Sequence, residues 1–136
     1  MSTRAQIQTE GSKVLLYLHG DGMPESVLPA LLPFLVEFHA ERGHDPMYLP
    51  ARFLQRLANE NDKALRDMSV EMSSSYKPNL FLSLGVGTEI HGDLDFFYRV
   101  RKNGTVEVKV PTSSEGRPKF KKVAEHPLGA AYQQAA

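Results

Sequence analysis

The stretch Asp95–Val110, DFFYRVRKNGTVEVKV, decides the fold because it contains two strand patterns joined by Asn103-Gly104, a strong hairpin signal. A two-residue Asn-Gly turn would mix apolar and charged side chains on both faces of the hairpin. A three-residue turn, with Gly104 in the left-handed region, separates them. The apolar face then contains Phe96, Tyr98, Val100, Val106, Val108 and Val110. The sequence therefore predicts an antiparallel hairpin in which Arg99 lies opposite Glu107.

Three further strands are predicted upstream of this hairpin. Residues 3–9 alternate between apolar and polar side chains, and residues 14–19 (VLLYLH) are mostly apolar. Residues 10–13 (EGSK) have the composition of a turn, so the two segments are expected to form an N-terminal hairpin. Residues 79–89 (NLFLSLGVGTE) place Leu80, Leu82, Leu84 and Val86 on one face of another strand.

Two helices are predicted between the N-terminal hairpin and the third strand. The first is expected to begin near Pro29, with a kink or frayed turn before Pro33, and to end at Gly43. The second is expected to run from Pro50 to about Asp67. Residues 68–78 (MSVEMSSSYKP) have no clean period and are expected to form a mobile loop.

The element order ββααβββ predicts an α+β fold, a two-layer sandwich in which two helices cover one face of an antiparallel sheet of about five strands. Residues 1–111 are expected to form this single domain. Residues 112–136 are polar, and we expect a partly disordered C-terminal tail.

Composition excludes several classes of function. The 136 residues include 16 Lys+Arg and 16 Asp+Glu, and this balance argues against nucleic acid or anionic lipid as a partner. The chain has no cysteine, which excludes disulfides, thiol catalysis and cysteine-ligated zinc. We find no signal peptide and no apolar run long enough to span a membrane, so a cytoplasmic protein is expected.

The triplet His-Gly-Asp occurs twice, at His19-Gly20-Asp21 and at His91-Gly92-Asp93, each time after a predicted strand. Imidazole nitrogens and carboxylate oxygens are ligands for divalent metals, so His19, Asp21, His91 and Asp93 could hold one ion if the two segments meet. The alternative is that both triplets are simply turns, in which the aspartates accept hydrogen bonds from nearby backbone N–H groups.

Three motifs carry a resemblance: the opening MSTRA, then Tyr17-x-His19-x-Asp21-Gly22-x-Pro24-Glu25, then His91-Gly92-Asp93. In this order the chain resembles a set of uncharacterised small phage and bacterial (prophage) proteins that open with MSTR. The resemblance extends to about Val110 and implies a phage context, hence a host cytoplasm, without implying an activity. Met23 stands where those proteins usually have Tyr, and Asp95-Phe96 where they have Glu-Tyr.

The motifs and the predicted strand ends converge on one candidate site, formed by Arg4, His19, Asp21, Glu25, His91 and Asp93. The leading hypothesis is a non-enzymatic binding protein that captures a polar ligand or a protein partner there. One alternative is a metal-dependent hydrolase that uses the paired His-Gly-Asp turns. Another is a self-associating accessory protein, a homodimer, with an exposed Phe97 and the charged hairpin face as its interface.

Overall fold

A computed structural model describes residues 2–77, 83–113 and 118–132 of the chain. The elements, in chain order, are β1 (Ala5–Thr9), β2 (Leu15–Leu18), α1 (Pro24–Arg42), α2 (Leu49–Glu71), β3 (Leu84–Gly87), β4 (Phe96–Val100), β5 (Val106–Ser113) and β6 (Lys119–His126). The strands form one sheet in the order β3-β2-β1-β4-β5-β6. Both helices lie on one face, so the predicted two-layer α+β class is confirmed.

Two features of the sheet differ from the prediction. Strand β4 pairs with β1 in parallel, whereas every other neighbouring pair is antiparallel. The sheet also has a sixth strand, β6, in the segment after residue 111 for which no regular element was predicted. Its lysine-rich sequence lacks a clean apolar alternation, and a register shift in its pairing with β5 falls at Val123.

The register of the hairpin formed by β4 and β5 is the predicted one. Arg99 lies opposite Glu107 and Val100 opposite Val106. The turn is closed by a hydrogen bond from the Gly104 N–H to the Arg101 carbonyl at 2.9 Å, and Gly104 has a φ of 85°. The choice of a three-residue turn on the basis of face separation is therefore confirmed.

The helices are longer than predicted. Helix α1 begins at Pro24, five residues before the predicted start at Pro29, because Pro24 occupies the first-turn position where a missing N–H costs nothing. Pro29 and Pro33 lie inside this helix with their side chains exposed. Helix α2 extends to Glu71, into the predicted loop. The first residues of the predicted third strand, including Leu80 and Leu82, lie outside the described residues.

The main core lies between the sheet and the helices, with Ile7, Leu16, Tyr98 and Val106 on the sheet and Phe53 on α2 all at most 2% exposed. Side chains that alternate with these point to the opposite face. Phe97 lies there and is 4% exposed, so the predicted exposure of this residue is wrong. Phe97 packs in a second cluster with the buried Leu15 and Leu94, and the Phe120 ring of the unpredicted strand β6 stacks on it with centroids 4.9 Å apart.

Segment 88–95 connects β3 to β4 by crossing the face of the sheet opposite the helices. Both β3 and β4 run parallel to β1, so the chain must return along the sheet between them. This crossover packs on β1 and buries Gln6 completely. In the described part of the chain, neither helix is both long and apolar enough to cross a bilayer.

Candidate binding site

The turn after β2 is held against the start of β1 by close backbone packing. The Gly22 N–H donates to the Thr3 carbonyl at 3.0 Å, and the buried Tyr98 hydroxyl donates to the Gly22 carbonyl at 2.7 Å. A Cβ on Gly22 would lie 2.7 Å from the Cβ of Ala5 and 2.8 Å from the Thr3 carbonyl oxygen. Glycine is therefore required here by the close approach of two backbone segments.

Two residues hold the crossover on the sheet, namely Gln6 in β1 and Arg4 directly before β1. Gln6 donates from Nε2 to the Glu89 carbonyl and accepts from the His91 N–H at Oε1, both at 3.0 Å. Further along, the Arg4 N–H donates to the Asp95 carboxylate and the Asp95 N–H donates to the Arg4 carbonyl, both at 2.9 Å. These four bonds fix the path of the second His-Gly-Asp segment past the end of β2.

The two His-Gly-Asp segments meet at Tyr17, forming what we term the Tyr17 cluster, which consists of Arg4, Tyr17, His19, His91 and Asp93. The Tyr17 ring stacks on the His91 ring with centroids 4.6 Å apart. The Tyr17 hydroxyl lies 3.1 Å from Nδ1 of His19. Arg4 forms an ion pair with Asp93, and Nδ1 of His91 lies 3.9 Å from Oδ1 of Asp93. Four of the six residues predicted for the site are thus brought together.

The cluster is accessible to solvent. The side chains of Arg4, His91 and Asp93 are 36%, 46% and 53% exposed, His19 is exposed, and Tyr17 is half-buried. An exposed ion pair such as Arg4–Asp93 contributes at most about 1 kcal/mol to stability. The side chains of the cluster thus offer a phenol, two imidazoles, a guanidinium and a carboxylate to any molecule that approaches this face.

The other two predicted site residues lie elsewhere. Asp21 lines a cleft on the helix side of the sheet, with a φ of 56° that directs it away from His19. Glu25, in the first turn of α1, lies beside Tyr132. Burial, followed by the negative charge of Glu25, raises the pKa of the Tyr132 hydroxyl. The structure therefore divides the candidate site among three places.

The proposed metal ligands do not form a metal-binding group. Among residues 2–77, 83–113 and 118–132, no three His, Asp or Glu side chains converge in a way that could hold a metal ion. Because Asp21 is on the helix side of the sheet, it does not join His19, His91 and Asp93.

Tyr17 and Gln6 are the residues of this site that the sequence prediction did not include. Tyr17 was part of the quoted motif, and its position two residues before His19 in a strand was the available signal, since such residues share a face. Gln6 carried no signal because its burial depends on the crossover, which no local pattern predicts. No family model, curated protein or solved structure matches the chain.

Proposed function

We propose that this protein is a non-enzymatic binding protein that recognises a protein partner through the Tyr17 cluster. The observation that carries the proposal is the convergence of both His-Gly-Asp segments on one exposed patch around Tyr17. The segments come from turns 72 residues apart, so their meeting depends on the crossover and its anchors.

The chemistry of the cluster supports recognition of a protein surface. Tyrosine and arginine are the residue types that most often dominate the binding energy of protein interfaces. The cluster also has a fixed geometry, because Gln6 anchors the crossover and the His91 ring is stacked on Tyr17. A preorganised surface loses less conformational entropy on binding, which favours affinity.

The position of the cluster favours a protein over a small molecule. The described clefts of about 410, 510 and 170 Å³ are lined by other residues, and none of the five cluster residues lines any of them. An open patch cannot enclose a small ligand, whereas a protein can cover it. The resemblance to phage proteins would make this partner a protein of the bacterial host, met in its cytoplasm.

The test begins with affinity capture from a bacterial extract, using the wild-type chain and the double variant His19→Ala/His91→Ala. A captured protein is then purified, and its Kd for each form is measured by calorimetry. We expect the double variant to bind at least about tenfold more weakly, which corresponds to about 1.4 kcal/mol. Its urea midpoint should stay close to that of the wild type because both imidazoles are exposed.

The matched control is His126→Ala. It removes an imidazole from β6, which is the edge strand farther from β2. It should leave the Kd unchanged. Equal binding by the wild type and the double variant would contradict the proposal. If the wild type releases a small molecule that the double variant does not carry, the ligand of the cluster is a polar small molecule and not a protein. Capture of a second copy of the chain would favour self-association.

A further inference from the structure

A cleft of about 410 Å³ opens on the helix side of the sheet, at the end of β2. Its floor is apolar and includes Leu18, Val27, Phe53 and Leu57. Its volume lies within the range of roughly 300–1,000 Å³ that is typical of small-molecule sites. The Tyr17 cluster lies on the other face, so this cleft is a separate site from the one proposed above.

The rim of the cleft is polar and carries negative charge only. It contains the carboxylates of Asp21 and Glu60 together with the neutral side chains of Ser26, Asn61 and Ser83. No lysine or arginine lines it. Within the described part of the chain, neither Asp21 nor Glu60 forms a side-chain hydrogen bond or an ion pair. The two carboxylates are therefore available to a ligand.

The positions of these carboxylates follow from two different elements. On α2, Phe53 and Leu57 line the floor, and Glu60 lies one turn further along the same face, so the helix changes from apolar to acidic at the rim. Asp21 reaches the rim from the turn after β2, which Gly22 and the Tyr98 hydroxyl fix. The charged group of a ligand would thus contact the rim of the cleft, and its apolar part would contact the floor.

We infer that this cleft binds a small organic cation, with its ammonium group at the acidic rim, where Asp21 and Glu60 lie, and its apolar body on Phe53 and Leu57. An ammonium group donates hydrogen bonds to carboxylates and gains from their charge. A hydrated metal ion fits less well, because the floor would offer its water shell only apolar side chains. An anion would meet two carboxylates and no compensating positive side chain.

The test uses three six-carbon probes that differ only in their head group, namely n-hexylamine, 1-hexanol and hexanoate, each titrated at pH 7 by calorimetry. We expect hexylamine to bind with a Kd on the order of millimolar, because the probe has few atoms. Hexanol should bind at least about tenfold more weakly. Hexanoate should be weaker still, and added salt should weaken the binding of hexylamine.

Two variants test the carboxylates directly. Asp21→Asn and Glu60→Gln should each weaken hexylamine binding about tenfold. Asn tolerates a positive φ about as well as Asp, so the first variant keeps the turn. The control Asp67→Asn removes an exposed carboxylate of α2 that does not line the cleft, and it should leave hexylamine binding unchanged.

Several results would overturn the inference. One is the absence of binding by any probe, and another is equal binding by all three. A third is binding of hexylamine that neither Asp21→Asn nor Glu60→Gln weakens. That last result would assign the amine to another described surface, such as the smaller cleft of about 170 Å³ that Glu37 and Glu41 line. The variant Ser26→Trp, which fills the rim, should abolish hexylamine binding even if the carboxylate variants fold poorly.

Discussion

Replacing Gly22 by alanine should destabilise the protein strongly, because the new Cβ has no room. It would lie 2.7 Å from the Ala5 Cβ, 2.8 Å from the Thr3 carbonyl oxygen and 3.1 Å from the Ala5 nitrogen. Two of these three atoms belong to the backbone of the chain that enters β1, so no side-chain rotation can relieve the clash. The turn and the first strand must therefore move apart.

The magnitude follows from two contributions. Overpacking of this kind costs about 1–3 kcal/mol. Separation of the turn from β1 also weakens the hydrogen bonds from Gly22 to Thr3 and from Tyr98 to Gly22, each worth about 1 kcal/mol net. We expect a loss of about 2–4 kcal/mol from a free energy of unfolding that is about 5–15 kcal/mol for a domain of this kind.

The matched control is Gly20→Ala, two residues earlier in the same turn. No atom outside its chain neighbours lies within 4 Å of a Cβ built there, and its φ lies outside the left-handed region. This variant should be neutral or more stable by up to about 1 kcal/mol, because alanine restricts the unfolded chain. Urea denaturation followed by circular dichroism measures both. If the two variants differ by less than about 0.5 kcal/mol, the packing argument for Gly22 is wrong.

Three other predictions concern groups at β1 and in the helical layer. Gln6→Ala should speed amide hydrogen exchange at His91 by at least about tenfold relative to the wild type, because its N–H loses the 3.0 Å bond to Gln6. Burial, and then the charge of His44, lowers the pKa of His39 from 6.5. As the pH falls, His39 therefore becomes protonated in the unfolded chain before it does in the folded one. The free energy of unfolding should consequently fall as the pH drops below 6.5. His39→Leu should flatten that part of the urea-midpoint profile. The hydrogen bond from Arg101 lowers the pKa of Glu10 from 4.5. The ionised Glu10 therefore stabilises the folded chain above pH 4.5, and this stabilisation is lost as the pH falls through the lowered pKa. Glu10→Gln should make the urea midpoint less dependent on pH below pH 4.5, and it should leave the pH dependence near neutrality unchanged.

The local parts of the fold could be predicted from sequence because each depends on contacts between near neighbours. The register of β4 and β5 follows from face separation around Asn103-Gly104, and the end of α1 follows from Gly43. The parallel pairing of β4 with β1 could not be predicted, since it depends on a crossover with no helix and no periodic pattern. Strand β6 was missed because an edge strand rich in lysine lacks the alternation on which prediction relies.

The candidate site was predicted only in part, and the reason lies in the backbone of one turn. The turn that follows the predicted strand was expected to let His19 and Asp21, two residues apart, converge on one site. Strand β2 ends at Leu18, however, and the positive φ of Asp21 reverses the chain. His19 therefore stays beside Tyr17, while Asp21 passes to the helix side of the sheet.

The two His-Gly-Asp triplets are consequently not equivalent. In the second triplet, His91 and Asp93 remain together, with Nδ1 and Oδ1 3.9 Å apart. In the first triplet, His19 and Asp21 lie on opposite faces of the sheet. One turn thus contributes an imidazole to an open polar patch and a carboxylate to an acidic cleft. Because the sheet separates these surfaces, substitutions at His19 and at Asp21 should act on different ligands, and a single variant that impaired both would indicate damage to the turn itself.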